Sequence, residues 1–245
     1  MKKTIGILIA IGLVALLTIP ALAGGVNPAR LQGFEHNTDG WFGSETPGVL
    51  GWCGTITRMT RGNGPVDPSA GSGYAVLENG NCNDFWASIF PTSAPYGIHE
   101  GAYTDSWPHT GYVAEIDVYL DPSWGAGAGF NLFASTQYLD GFRYFLMPVS
   151  VVGDMVMVSG HGVGEAGWYT FRTRFQDEGG YLAVDFELVN NGKVLYSMPL
   201  ETTVFSVVPT SSLAVSDSAP GYFWFDSISE GLQLPVDQHM FRPGQ

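Results

Sequence analysis

The chain predicts an all-β protein: a two-sheet antiparallel β-sandwich of the jelly-roll type. Three observations carry this. Apolar and polar residues alternate with period two in segment after segment, while sustained helical periodicity is absent beyond Ala23. Only 13% of residues are charged, and 33 glycines accompany frequent aromatics, which suits many short strands joined by tight turns. Turn signals recur at short intervals with no strand–helix alternation, and that favours stacked sheets over a parallel α/β core.

The first element is a targeting segment. Lys2 and Lys3 form a charged start, Ile5 to Leu17 an apolar core, and Ala21-Leu22-Ala23 a small-residue cleavage site. Residues 1–23 are therefore expected to be a secretory signal peptide, with 24–245 a single β-sandwich domain. The competing reading is an uncleaved anchor, since Thr4 to Ala23 is nearly long enough to span a bilayer. Pro20, just before the cleavage site, favours removal. The mature protein is then expected outside the cytoplasm, free of the membrane.

The clearest strand is Val113 to Leu120, with Ala114, Ile116, Val118 and Leu120 on one face and Val113, Glu115, Asp117 and Tyr119 on the other. Tyr181 to Leu188 repeats the scheme, turning Leu182, Val184, Phe186 and Leu188 inward. Tyr169, Phe171, Thr173 and Phe175 alternate with Arg172 and Arg174. Less regular strands run through Phe130–Ser135, Phe142–Val149, Met155–Val158, Val194–Met198 and Tyr222–Ile228. Two hairpins are marked by Asp177-Glu178-Gly179-Gly180 and Asn190-Asn191-Gly192-Lys193. An even-length first loop sets Arg172 opposite Asp185, with Arg174 diagonal to it. These charges, with Glu187, read as a solvated and mutually neutralising outer face.

Cys53 and Cys82 are the only cysteines, and both follow the export signal. Outside the cytoplasm such a pair is expected to form one disulfide. Closing a loop of about 30 residues stabilises a fold by roughly 3–4 kcal/mol on the chain-entropy model. Charge narrows the partners. Beyond Lys2 and Lys3 the only lysine is Lys193, against 23 acidic residues. Such a chain repels nucleic-acid phosphates and anionic lipid headgroups. It also repels acidic polysaccharides unless arginines or bound cations intervene.

The two ends and the motifs between them resemble a specific group. Gly33-Phe34-Glu35…Gly40-Trp41, Ile56-Thr57-Arg58 and Tyr112–Asp121-Pro122-Ser123-Trp124 occur in order. Gly167-Trp168-Tyr169-Thr170-Phe171, Gly179-Gly180-Tyr181-Leu182-Ala183-Val184 and Trp224…Val236-Asp237 continue the series. Together they are similar to secreted bacterial proteins of the concanavalin A-like lectin/glucanase jelly-roll superfamily. The resemblance implies that the entering strand lies beside the leaving one. It places this chain among lectins, adhesins, glycoside hydrolases and polysaccharide lyases without choosing between them. The closing segment departs from the usual apolar-Asp-Asn step, having Gln238 after Asp237.

The resemblance directs attention to Glu115-Ile116-Asp117. Retaining glucanases of the superfamily write three carboxylates along one strand, and their mechanism needs two of them about 5.5 Å apart across the glycosidic bond. Glu115 and Asp117 share a strand face at roughly 6.5–7 Å, but the third position holds Tyr119. Asp121 is cofacial, at the strand end before Pro122. The missing acid/base argues against catalysis. A lyase needs a Tyr/His base and a group to neutralise a uronate. His99, Tyr103 and His109 cluster without an arginine, while Arg143 and Tyr144 alternate to opposite faces.

Two further sets of candidates remain. Glu35 and Asp237 are expected to form a structural Ca²⁺ pair at the seam, with Asp39 and Asp226 able to join, because hard cations take carboxylate oxygens. The alternative is that Glu35 satisfies backbone donors. For carbohydrate, Trp107, Trp124 and Tyr138 are the loop aromatics whose flat faces can pack on a sugar ring. Trp41, Trp168 and Trp224 read as core. The sequence therefore points to a secreted, non-catalytic carbohydrate-binding or cell-surface interaction module, with Glu115 and Asp117 as further ligand candidates. The alternative is a diverged glycoside hydrolase or polysaccharide lyase.

Overall fold

The computed structural model describes residues 30–38, 41–42, 54–79, 90–91, 111–138, 141–179, 181–200 and 219–243. The signal segment, the Cys53–Cys82 pair, Asp39, Trp107 and the His99–Tyr103–His109 cluster lie outside them. So do the side chains of Tyr138 and Trp224.

Each segment marked by alternation is a strand. In chain order these are β1 (Arg30–Gln32), β2 (Trp41–Phe42), β3 (Gly54–Thr60), β4 (Gly73–Asn79), β5 (Phe90–Pro91), β6 (Gly111–Leu120) and β7 (Gly129–Tyr138). There follow β8 (Gly141–Val152), β9 (Met155–Val158), β10 (His161–Val163), β11 (Gly167–Glu178), β12 (Tyr181–Asn190), β13 (Lys193–Pro199), β14 (Ala219–Asp226) and β15 (Gln233–Pro243). Strands β13-β12-β11-β6-β15-β4-β3 form one sheet, eight-stranded with β1. Strands β10-β9-β8-β7-β14 form a second of five. All pairings are antiparallel. The fold is a two-sheet β-sandwich, a jelly roll.

The alternating apolar sets build the core between the sheets. Phe171 meets Phe130 and Phe175 meets Phe145 across the gap, with ring centroids 6.3 and 5.7 Å apart. Tyr112 stacks on Phe175 at 4.3 Å and turns its hydroxyl to Thr136 Oγ1 at 2.7 Å. A buried phenol is thereby satisfied rather than left as a desolvation cost. Ile116, Leu132, Phe186 and Val236 have no exposed surface, and each such side chain contributes about 1.5–3 kcal/mol of burial.

The first hairpin corrects one expectation. Glu178 pairs with Tyr181, so Arg174 stands opposite Asp185 and Arg172 opposite Glu187. Only two residues separate the paired positions, so the loop is even in length yet the register lies two residues from the one that would set Arg172 against Asp185, because Asp177 and Glu178 still belong to β11. The outer charges are also drier than expected. Arg172 keeps 18% of its side chain exposed and Glu187 15%.

The two chain ends meet as the end motifs imply. β1 pairs with the far half of β15, Arg30 against Phe241 and Gln32 against His239. β4 pairs with the near half of β15 along the same edge, and β6 takes the other edge. Between Asp237 and Met240 the register on β6 slips by one residue, and Gln238 adopts a left-handed φ of 48°. This is a β-bulge. Asp237 keeps the outer-face position that alternation gives it, and the bulge turns His239 and Phe241 to the core and Arg242 to the outer face. Asparagine tolerates that conformation better than glutamine does.

His239 lies against Trp41 at 5.2 Å and Phe241 at 5.0 Å. Burial pushes its imidazole down to about 3, so it is neutral in the fold while the unfolded chain takes up a proton below about 6.5. Its contribution to stability is complete above that value and is lost as pH falls toward 3. Replacing His239 with Gln should remove this loss. In urea titrations from pH 7 to 4, the difference between wild type and variant should shift in the variant's favour as acid is added, with a slope approaching about 1.4 kcal/mol per pH unit below about pH 6.

Candidate functional site

Alternation that sends Ala114, Ile116 and Val118 inward must send Glu115, Asp117 and Tyr119 to the outer face of the eight-stranded sheet. Neighbouring strands add to it in register. Trp168 lies opposite Tyr119, Thr170 opposite Asp117 and Arg172 opposite Glu115. From the other side, β15 brings Asp237 opposite Asp117 and, through the bulge, Arg242 close to Glu115.

Glu115 is 5% exposed and is held by two arginines: Arg172 Nε on Oε1, and Arg242 Nη2 at 3.0 Å from the same oxygen. Burial alone would raise its carboxyl, but the two guanidiniums override this and hold it below the usual carboxylate range. Arg172 continues to Glu187 at 2.9 Å, and Glu187 to Arg174 at 2.8 Å. The result is an ion-pair ladder crossing β15, β6, β11 and β12. Within it Glu115 is a fixed anion, with Oε1 shared by both arginines and Oε2 3.5 Å from Arg242 Nε.

Asp117 behaves differently. Thr170 Oγ1 donates to one oxygen at 2.6 Å, and Ser69 Oγ lies 2.7 Å from the other. Burial outweighs both hydrogen bonds and pushes the carboxyl up. Asp237 has no exposed surface. One of its oxygens accepts from Ser69 N at 3.0 Å, Ser69 Oγ at 3.0 Å and Ala70 N at 3.3 Å. The other accepts from the backbone and side chain of Gln238. Burial still prevails and raises it to about 6.

These serine contacts belong to residues 61–72, the β3–β4 loop, which roofs this part of the face. Its Asp67 carbonyl accepts from Trp168 Nε1 at 2.9 Å, and Val66 N donates to Tyr74 OH at 3.3 Å. Glu35 fastens the root of the loop, accepting from Ser72 N and Oγ at 3.0 and 2.7 Å. Those bonds hold its carboxyl below its ordinary value. Gly71 (φ 62°) is required there, since a Cβ would overlap the Glu35 carboxylate.

Trp168 is the residue that the sequence reading misplaced. Its indole lies on the outer face, half-buried, edge-on to Tyr119 at 5.6 Å and to Tyr74 at 6.0 Å. The signal was available: with Tyr169 and Phe171 inward, Trp168 must point outward. Trp124 is the opposite case. It ends a 3-10 turn, Pro122–Trp124, capped by Asp121, and packs on the core beside Phe130 at 6.4 Å. It is therefore on the other side of the sheet from Glu115 and Asp117. Trp41 is core, as expected.

The calcium pair is not brought together as one site among the described residues: Glu35 accepts from Ser72 N and Oγ, while Asp237 accepts from Ser69, Ala70 and Gln238. Asp226 belongs to the other sheet and accepts from Ser227 N at 2.6 Å. Among the described residues, no group of three or more His, Cys, Asp or Glu side chains could hold a metal.

No protein-family model and no curated protein sequence matches the chain. Among solved structures, the chain is similar to the Ca²⁺/Man3GlcNAc-bound exoplasmic/lumenal domain of VIP36, at 11% identity and a TM-score of 0.34, over 88% of this chain and 91% of that one. It is also similar to the alginate lyase AlgAT5 from polysaccharide lyase family 7, at 13% identity and a TM-score of 0.21, over 76% and 74%. Likeness at these scores decides neither ligand nor mechanism. The jelly-roll assignment rests on the strands and their pairing.

Replacing Glu115 with Gln leaves Arg172 and Arg242 without their shared anion. The loss of a buried partner costs about 3–5 kcal/mol, and the partial exposure of both arginines places the expected effect near the lower end. Arg61–Asp67, with side chains 57% and 60% exposed, should contribute less than about 1 kcal/mol. Urea unfolding of Glu115→Gln and Arg61→Ala at neutral pH tests the contrast, and comparable losses would refute the ladder's structural role.

Proposed function

We propose that the protein is a secreted, non-catalytic β-sandwich that binds carbohydrate through the outer face of its eight-stranded sheet. The observation that carries this reading is the Trp168 indole on that face. Tyr119 and Tyr74 flank it, and beside it stand Asp117, Thr170 and the Arg172–Glu115 ladder. An indole offers a flat apolar surface to the C–H face of a sugar ring, while neighbouring carboxylates and guanidiniums take its hydroxyls. Because the arginines are already paired with Glu115 and Glu187, the face suits neutral saccharides better than polyuronates.

Export by cleavage of residues 1–23, a single domain over 24–245 and a Cys53–Cys82 disulfide belong to the same proposal. So does a place among the concanavalin A-like jelly rolls. A cell-surface glycan is an equally suitable partner for such a face. One observation favours the second reading, a diverged glycan-cleaving enzyme: Asp237, raised to about 6, is a carboxyl of the kind used as a general acid. Against it stand its complete burial and the arginine clamp on the would-be nucleophile, Glu115.

Glycan-array binding by the mature protein tests the proposal, followed by reducing-sugar assays on any hit. Trp168→Ala should weaken binding about tenfold or more while leaving the sandwich folded by circular dichroism. Unchanged binding would remove this face from the function. Sugar release by wild type that is lost in an Asp237→Asn variant still folded by circular dichroism would favour the enzyme reading.

A further inference from the structure

The 61–72 loop stands over the face just assigned to ligand, and its contacts with the two aspartates centre on Ser69, whose backbone N, with that of Ala70, also reaches Asp237. Ser69 Oγ is 2.7 Å from Asp117 Oδ2 and 3.0 Å from Asp237 Oδ2. A hydroxyl has one proton and can donate it fully to only one of them. The two aspartates are direct cross-strand partners, a position in which like charges repel. Carboxylates on the same face as an indole are groups that can take the hydroxyls of a bound sugar. Here the hydroxyl comes from the protein itself.

We propose that the 61–72 loop is an autoinhibitory lid, in which Ser69 occupies the place of a saccharide hydroxyl on the Asp117–Asp237 pair. The ligand in this proposal rests on the carbohydrate reading of the face; the lock does not.

The remaining contacts of the loop fit a lid. Its backbone uses the polar edges of the aromatic platform, taking the Trp168 N–H at Asp67 O and giving the Val66 N–H to Tyr74 OH. Its root is fastened independently. Arg61 N donates to Ser72 O at 3.0 Å, and Arg61 Nη2 reaches Gly71 O at 3.2 Å. Glu35 grips Ser72, so the centre can lift while the base stays anchored. Burial keeps both aspartates above the usual carboxylate range, so the closed lid rests on an electrostatically loaded pair. With the lid lifted, Asp237 loses the Ser69 and Ala70 N–H donors and Asp117 the Ser69 hydroxyl, and a saccharide with several hydroxyls can replace them on both carboxylates. The lid then reduces apparent affinity by the fraction of molecules in which it is open.

Hydrogen exchange of the 61–72 amides, measured without ligand, tests the lock. Ser69→Ala should speed exchange about tenfold or more. Asp117→Asn should slow it, because the amide can donate to Ser69 Oγ and the facing charge is gone. Exchange unchanged in both variants would overturn the lid. Wild type and Ser69→Ala are then compared on an array of neutral β-glucans, mannans and galactans together with uronic-acid polymers. Roughly tenfold tighter binding by Ser69→Ala is expected. Faster exchange with unchanged affinity for a glycan that wild type also binds overturns autoinhibition and leaves the carbohydrate reading intact. Faster exchange with no binding by either protein rejects the carbohydrate reading itself, and the inhibitory role with it.

Discussion

The arrangement of the whole outer face depends on one inserted residue in β15. Without the slip between Asp237 and Met240, strict alternation would carry His239 outward and Arg242 into the core. Phe241 would leave the apolar layer in which it is 3% exposed. A single left-handed residue, Gln238, lets one strand satisfy two demands. Its first half matches β4 and β6 with Leu234 and Val236 inward. Its second half matches β1 and β6 with Phe241 inward and Arg242 over Glu115. The cost of the conformation is partly offset locally, because Gln238 donates through both its backbone and its side chain to Asp237. The bulge thus joins the closure of the sandwich to the construction of the site.

Around that bulge the face divides into two parts with opposite electrostatics. On one side the charges are paired in series, Arg242 to Glu115 to Arg172 to Glu187 to Arg174. A chain with a net charge of −13 and almost no lysine places arginines where planar guanidiniums can bridge carboxylates on adjacent strands. On the other side Asp117 and Asp237 have no cation within hydrogen-bonding reach among the described residues, only hydroxyl and amide donors. The first part behaves as framework. The second is a polar cluster that burial has made uncomfortable, and such clusters are where structure tends to serve ligand rather than stability.

Much of the fold was legible because period-two alternation is a local property. Residues such as Ile116, Phe171 and Phe186 declare their face without knowledge of partners. The hairpin register was less secure, since it turned on whether Asp177 and Glu178 end the strand or open the loop, and that two-residue difference moves every cross-strand pair while keeping each side chain on its face. The site was harder still. Glu115 and Asp117 could be placed together on one face, yet the arginine clamp requires Arg242, more than a hundred residues away in sequence. Trp168 could have been placed outward by the same alternation that placed Arg172. Trp124, in a turn, looked exposed, but its turn closes over the core. Nothing in residues 61–72 signalled a roof, because a Gly-, Pro- and Ser-rich loop acquires that role only from the strand faces beneath it.

The difference between Glu115 and Asp117 bears on what the face can do. Both are cofacial carboxylates on one strand, and sequence alone would give them equal standing. Two guanidiniums make Glu115 a permanent, immobile anion, which disqualifies it from giving or taking a proton but makes it a rigid support. Asp117 is left with a hydroxyl on each oxygen and a second carboxylate opposite, so its best-satisfied state is one in which additional hydroxyl donors arrive. A saccharide provides such donors in a fixed array, and the indole of Trp168 provides a surface against which that array can be oriented. The two ends of the chain, by meeting at β15 and setting the bulge, therefore determine which of the two acids is framework and which is available to a ligand.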